Sequence, residues 1–102
     1  MMDKFKIVWR PEAQQDLIAH VTFLSNINVE AALKLKETFF EEVYSLMNFP
    51  ERNSVFDMPD GFPFVTRKKV VNKRYLIIFT VKEDSVKIYR VLDSRKQFEH
   101  LV

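Results

Sequence analysis

Eight basic residues in the second half of the chain are the ones most able to do chemistry: Arg67, Lys68, Lys69, Lys73, Arg74, Arg90, Arg95 and Lys96. Guanidinium and ammonium groups donate charge-assisted hydrogen bonds to phosphates and carboxylates, so such a set suits recognition of an anionic partner. Six of them, Arg67, Lys69, Arg74, Arg90, Arg95 and Lys96, are the candidate target-binding residues. Side chains alternate across a strand, so Lys68 points opposite to Arg67 and Lys69, and one continuous patch is not required by the pattern. Arg90 is the most informative. Its neighbours at spacing two are Ile88 and Leu92, so it interrupts an apolar face. Such a charge either forms a structural ion pair or lies on an uncovered face as a site residue. The expectation is an exposed Arg90, beside Arg67 and Arg74, on the sheet face away from the helices or at the sheet edge.

Other chemistries find little support. The two histidines, His20 and His100, lie far apart in sequence and belong to no metal-ligand spacing, so no metal site is expected. None of the serines sits in a GxSxG elbow, and a single glycine cannot build a phosphate-cradling loop, so hydrolase and nucleoside-triphosphate readings lapse. With no cysteine there is no thiol nucleophile, zinc–thiolate site or disulfide framework. Glu41-Glu42 and Glu83-Asp84 fall on a solvated helix face and in a hairpin turn, as plain surface charge. No catalytic residue and no cofactor can be named from the residues.

The elements that must carry the basic residues are legible. The chain has 102 residues, 47% of them hydrophobic, and reads as a single domain over 1–102 with one core. Its longest apolar stretch, Tyr75 to Val81, is too short to span a membrane, and MMDKFKIVW is too short and too charged for a signal peptide; the expectation is a soluble, cytoplasmic protein. Net charge is +2, but residues 1–63 hold 6 Lys and Arg against 10 Asp and Glu, whereas residues 64–102 hold 10 against 4. A basic C-terminal half predicts a surface for a polyanion or an acidic partner.

Phe5, Ile7 and Trp9 alternate with polar residues, as in a half-buried strand. Pro11 stops that strand and suits a first helical turn, opening a helix to about Leu24 whose Leu17, Val21 and Leu24, widened by Ile18, face inward. Asn28 can cap a second helix from Val29, which carries Ala32, Leu35, Phe39, Val43 and Leu46 on one stripe and ends before Pro50; the short connection makes the two an antiparallel hairpin. Residues 49–63, with three of the four prolines and the only glycine, read as a loop with at most one short turn. Three strands follow, at 64–71, 74–81 and 86–92, joined by hairpin-length connections. The middle one is apolar on both faces and belongs inside the sheet. The expected fold is therefore α+β, two layers in the order β-α-α-β-β-β, with the helical hairpin on a twisted, mainly antiparallel sheet; the tail 93–102 adds a short helix docked through Phe98 and Leu101.

The order and spacing of several segments are similar to the RelE/ParE superfamily of type II toxin–antitoxin toxins: Pro11-Glu12-Ala13 with Asp16-Leu17, Phe49-Pro50-Glu51-Arg52, VTRKKVVNKRYLIIFTV and VKIYRVLDSRKQFEHLV. The resemblance spans nearly the whole chain and implies the same strand, two helices and meander. RelE-type members are ribosome-dependent ribonucleases using Lys, Arg and Tyr; Arg95 falls where that pattern places an Arg, but its later Tyr is absent, and the His-Tyr pair of YoeB-like members is replaced by Leu92-Asp93. RVLDSRKQF resembles the ParE-type RVLHxRRD, with Asp93 in place of His.

The resemblance thus implies a ParE-like toxin, of the kind associated with plasmid stabilisation, that arrests growth by acting on DNA gyrase and is silenced by a cognate antitoxin. One alternative is a RelE-type interferase acting on ribosome-bound mRNA, and another is an inactive toxin that holds the antitoxin as a co-repressor. Whether the protein is an enzyme stays open, as does the choice between a homodimer and a toxin–antitoxin hetero-oligomer; no membrane partner is expected.

Overall fold

The computed structural model describes residues 4–58 and 64–95. Two helices pack on a five-stranded, mostly antiparallel open sheet, which is the α+β architecture expected. The elements are β1 (Lys6–Trp9), α1 (Pro11–Ser25), α2 (Val29–Ser45), a 3-10 turn (Pro50–Arg52), β2 (Val55–Phe56), β3 (Thr66–Val71), β4 (Tyr75–Lys82) and β5 (Ser85–Asp93). The sheet order is β1-β5-β4-β3-β2, so the continuously apolar β4 sits in the middle, as its composition demands. β1 runs parallel to β5, with Trp9 opposite Ile88, and the other pairings are antiparallel.

Local chemistry sets the boundaries. Pro11 opens α1, and the Arg10 guanidinium pairs with Glu12 in its first turn at 2.9 Å. Asn28 Oδ1 accepts the Ala31 N–H at 2.9 Å, the cap expected for α2. Asn72 and Lys73, both with positive φ (53° and 57°), make the two-residue β3–β4 turn; Asn enters the left-handed region readily, whereas Lys73 does so against its Cβ.

The main core lies between helices and sheet. Ala13 and Leu17 of α1 and Leu35, Phe39 and Val43 of α2, followed by Leu46, pack on Val71, Tyr75, Ile77, Phe79, Val86, Ile88 and Val91. Ile18, expected to widen the inward stripe of α1, is instead 63% exposed. A second, small apolar cluster occupies the other sheet face, where Phe56, Met58 and Tyr89 pack on Leu76, Ile78 and Leu92. The described part of the 49–63 segment, residues 49–58, is therefore more than a connector. It contributes the 3-10 turn, with Pro50 buried, and β2, an edge strand that pairs with β3. The short helix expected in the tail, with Phe98 and Leu101, lies outside the described residues, as does Lys96.

Candidate functional site

The site candidates sort by the acceptors that hold them. Arg67 and Lys69 lie opposite Phe79 and Ile77 on β4, the helix-facing positions, while Lys68 lies opposite Ile78, whose side chain belongs to the other face. Arg67 Nη1 donates to the Asn53 carbonyl at 2.7 Å, just after the 3-10 turn. Lys69 Nζ is 3.9 Å from Glu42 of α2. Neither stands on an open basic face. Of the two, Lys69 meets a carboxylate, whereas Arg67 is held by a neutral carbonyl and keeps its full charge.

Arg90 departs from expectation. Its register, opposite Ile78 and two residues from Leu92, does set it on the face away from the helix-side core, but it is half-buried rather than exposed, and its Nε and Nη2 donate to Asp16 of α1 at 2.6 and 2.9 Å. This bond to a carboxylate raises the Arg90 pKa further above its already high value. The backbone also departs from strict alternation here. Ile78 pairs with Arg90 while Phe79 pairs with Ile88, so Tyr89 is an extra residue in β5, a bulge. Across it the alternation changes phase: Ile88 belongs to the helix-side core and Leu92 to the cluster on the other face. The apolar face that Arg90 was expected to interrupt does not exist.

Two residues the sequence reading passed over complete this region. β1 ends opposite Ile88, which leaves the Val91 peptide groups of β5 without a neighbouring strand. α1 takes its place: Asp16 accepts the Val91 N–H at 2.9 Å, and His20, one turn on, bonds the Val91 carbonyl through Nε2 at 2.8 Å. A carbonyl can only accept, so His20 carries its proton on Nε2. Asp16 and His20 share the stripe of Ala13, Leu17 and Leu24, and polar residues on an inward stripe are the signal that could have found them.

The candidates that do converge are Arg74 and Arg95. Asp93, at the end of β5 and only 6% exposed, accepts from Arg95 through the backbone N–H at 3.0 Å and through Nε and Nη2 at 3.1 and 2.9 Å. Arg74 Nε reaches the same carboxylate at 3.4 Å, and its guanidinium lies over the Tyr75 ring at 5.2 Å. The Ser94 N–H donates to the Arg74 carbonyl at 2.7 Å, tying the two segments together. The Arg95 hydrogen bond, set against the opposing effect of burial, holds the Asp93 carboxyl far below the usual carboxylate range. The Arg95 pKa is raised by the same bond. The result is a doubly cationic cluster around one buried anion, beside the tight turn that presents Lys73.

A second feature is apolar. A groove of about 390 Å³ is lined by Trp9, Leu17, Ile18, Val21 and Phe40, with Gln14, Thr22 and Lys36 completing the lining. It lies along α1 and α2 beside the exposed edge strand β1, and Trp9 meets Phe40 edge-on at 6.1 Å. No group of three or more His, Cys, Asp or Glu among the described residues could hold a metal ion. No helix among them is long and apolar enough to cross a membrane.

Comparison with known proteins decides the family. Residues 7–98 match the family profile described as ParE toxin of type II toxin–antitoxin system, parDE. The chain belongs to the ParE toxin family. In fold it is similar to a solved chain titled as the chromosomal ParDE TA system from P. aeruginosa, with a TM-score of 0.71 and 23% identity over 88% of this chain and 96% of that one. No curated protein matches. As a ParE-family chain it is a type II toxin.

Proposed function

We propose that this ParE-family protein arrests bacterial growth by acting on DNA gyrase and is silenced by a cognate antitoxin. The observation that carries the reading is the family match over residues 7–98, joined to the fold of a ParDE chain. The geometry supports a protein-contacting toxin. Lys69 and Arg90 are each paired with a carboxylate and Arg67 is held by a carbonyl, so these three candidates are engaged within the chain, whereas Arg74 and Arg95 keep donors facing outward. Arg74 and Arg95 form the target-contacting end, and Lys96, the next residue in sequence, is a further candidate. The antitoxin segment lies in the groove of Trp9, Leu17, Ile18, Val21 and Phe40, along the helical hairpin and the sheet edge. A segment that folds on binding can cover such a surface.

The alternative, cleavage of ribosome-bound mRNA, has one observation in its favour. His20 and Tyr75 lie with ring centroids 4.9 Å apart, next to Arg74, a combination of general acid–base and charge-stabilising groups. Against it, Tyr75 is 5% exposed and His20 Nε2 is committed to Val91. Inducible expression in bacteria separates the readings. The gyrase reading expects growth arrest with protein-trapped DNA breaks and intact mRNA, reversed by co-expressing the neighbouring small open reading frame. Discrete cuts in the ribosomal A site would promote the interferase reading, and unchanged growth would leave an inactive antitoxin-binding protein.

A further inference from the structure

We propose that Asp93 is a positioning residue: its buried carboxylate locks Arg74 and Arg95 into one rigid pair of cations that grips a carboxylate of an acidic protein partner. The inference deepens the proposed target-contacting role of these arginines and rests on that reading. Three observations carry it. First, Asp93 has only 6% of its surface exposed, yet Arg95 side-chain exposure is 64% and that of Arg74 35%, so the anion is hidden while the cations face outward. Second, the carboxylate engages Nε and Nη2 of Arg95 and Nε of Arg74, which leaves Nη1 of Arg95 and both terminal nitrogens of Arg74 as donors. Third, Arg74 is held on a second side by the Tyr75 ring, itself packed between Phe39 and His20, so its guanidinium is fixed before any partner arrives.

A free arginine side chain loses rotamer entropy when it binds; one already ordered by a buried anion loses much less. The two terminal nitrogens of Arg74 remain as a fork that matches a carboxylate, with Nη1 of Arg95 as a further donor. The small extent of the pair favours a protein carboxylate over a nucleic acid, whose affinity comes from many phosphate contacts along a continuous track.

The test uses the whole chain and Asp93→Asn, which keeps an acceptor for the Arg95 N–H and loses the charge. Arginine Nε–H NMR signals of Arg74 and Arg95 are followed while a hexaglutamate peptide is added at low ionic strength, with inorganic phosphate as a separate arm. In the wild type the two signals should be dispersed and shift together with the peptide. In Asp93→Asn they should collapse to the solvent-exposed position and the peptide should bind at least about tenfold more weakly, the loss of roughly one charge-assisted hydrogen bond. Starting from Arg74→Ala/Arg95→Ala, with peptide binding read from backbone amide shifts because the arginine signals are gone, adding Asp93→Asn should change nothing further, whereas a merely structural role would still weaken binding.

Equal or tighter peptide binding by Asp93→Asn would overturn the proposal, as Asp93 would then only subtract charge. Phosphate binding as tight as the peptide would overturn the choice of a protein carboxylate. Growth arrest is scored in parallel. A wild type that fails to arrest growth sinks the toxin reading, while the NMR titration decides the role of Asp93 independently.

Discussion

Replacing Asp16 should do more damage than its place on a helix surface suggests. Its carboxylate accepts three hydrogen bonds, two from Arg90 and one from the Val91 N–H, a group left without a strand partner where β1 stops. In Asp16→Ala the Val91 N–H, in a residue only 1% exposed, is stranded at a cost of about 1–3 kcal/mol. Arg90 loses its counter-ion as well. Breaking a fully buried pair costs about 3–5 kcal/mol, but with side-chain exposures of 24% and 15% this pair keeps some solvent screening and a smaller figure applies. A total near 3 kcal/mol should lower Tm by about 12 °C or more in a domain of this size. Asp16→Asn, which keeps one acceptor, should lose about half as much. Arg90→Ala in the Asp16→Ala background should recover part of the loss, because the unpaired cation is then gone. The assay is thermal and urea unfolding, followed by circular dichroism, of five proteins: wild type, Asp16→Ala, Asp16→Asn, Arg90→Ala and the double variant. A shift below about 2 °C for Asp16→Ala, or strictly additive effects, would refute the view that α1 replaces a missing strand and that Arg90 is held by Asp16.

Further expectations follow from the same contacts. His20→Leu should lower stability by about 1–2 kcal/mol through the unpaired Val91 carbonyl, with His20→Gln milder because its amide can still donate; urea unfolding reads both. Lys73→Gly should stabilise by about 0.5 kcal/mol, since relief of the left-handed backbone at φ 57° exceeds the entropy that glycine adds to the unfolded chain; a Tm no higher than wild type would contradict this. The Asp93 carboxyl titrates far lower in the folded chain than in the unfolded one. Its stabilisation is therefore complete above the unfolded value near pH 4 and fades as pH falls below it, so unfolding measured from pH 5 down to pH 2 should show a shallower acid loss in Asp93→Asn than in wild type.

Period-two alternation and helical stripes carried most of the architecture. Phe5, Ile7 and Trp9 marked β1, Asn28 marked the start of α2, and the unbroken apolar run of Tyr75 to Val81 marked the central strand. These signals are local, and the structure keeps them. Features set by pairing were less visible. Nothing in Val55-Phe56 announces an edge strand, because two residues carry no period; their role comes from β3 and from the Thr66 hydroxyl, which donates to the Phe56 carbonyl at 2.7 Å. The bulge at Tyr89 defeated the reading of Ile88, Arg90 and Leu92 as one face, since a strict alternation was carried across an inserted residue. Asp93 was visible only as a departure from a motif. Its buried carboxylate gathers arginines from two strand ends, a convergence that depends on β4 and β5 being neighbours. Asp16 and His20 were readable in principle, being polar residues on the stripe that buries Ala13 and Leu17.

The most direct test of the central claim incubates the purified protein with purified DNA gyrase, supercoiled plasmid and ATP, followed by denaturant and protease to reveal trapped breaks. The account predicts linearised plasmid that rises with toxin concentration, falls when the cognate antitoxin is added, and is reduced about tenfold or more by Arg74→Ala/Arg95→Ala, the loss expected when at least one charge-assisted contact is removed. Unbroken plasmid at saturating, correctly folded protein, together with message cut in the A site of translating ribosomes, would contradict it.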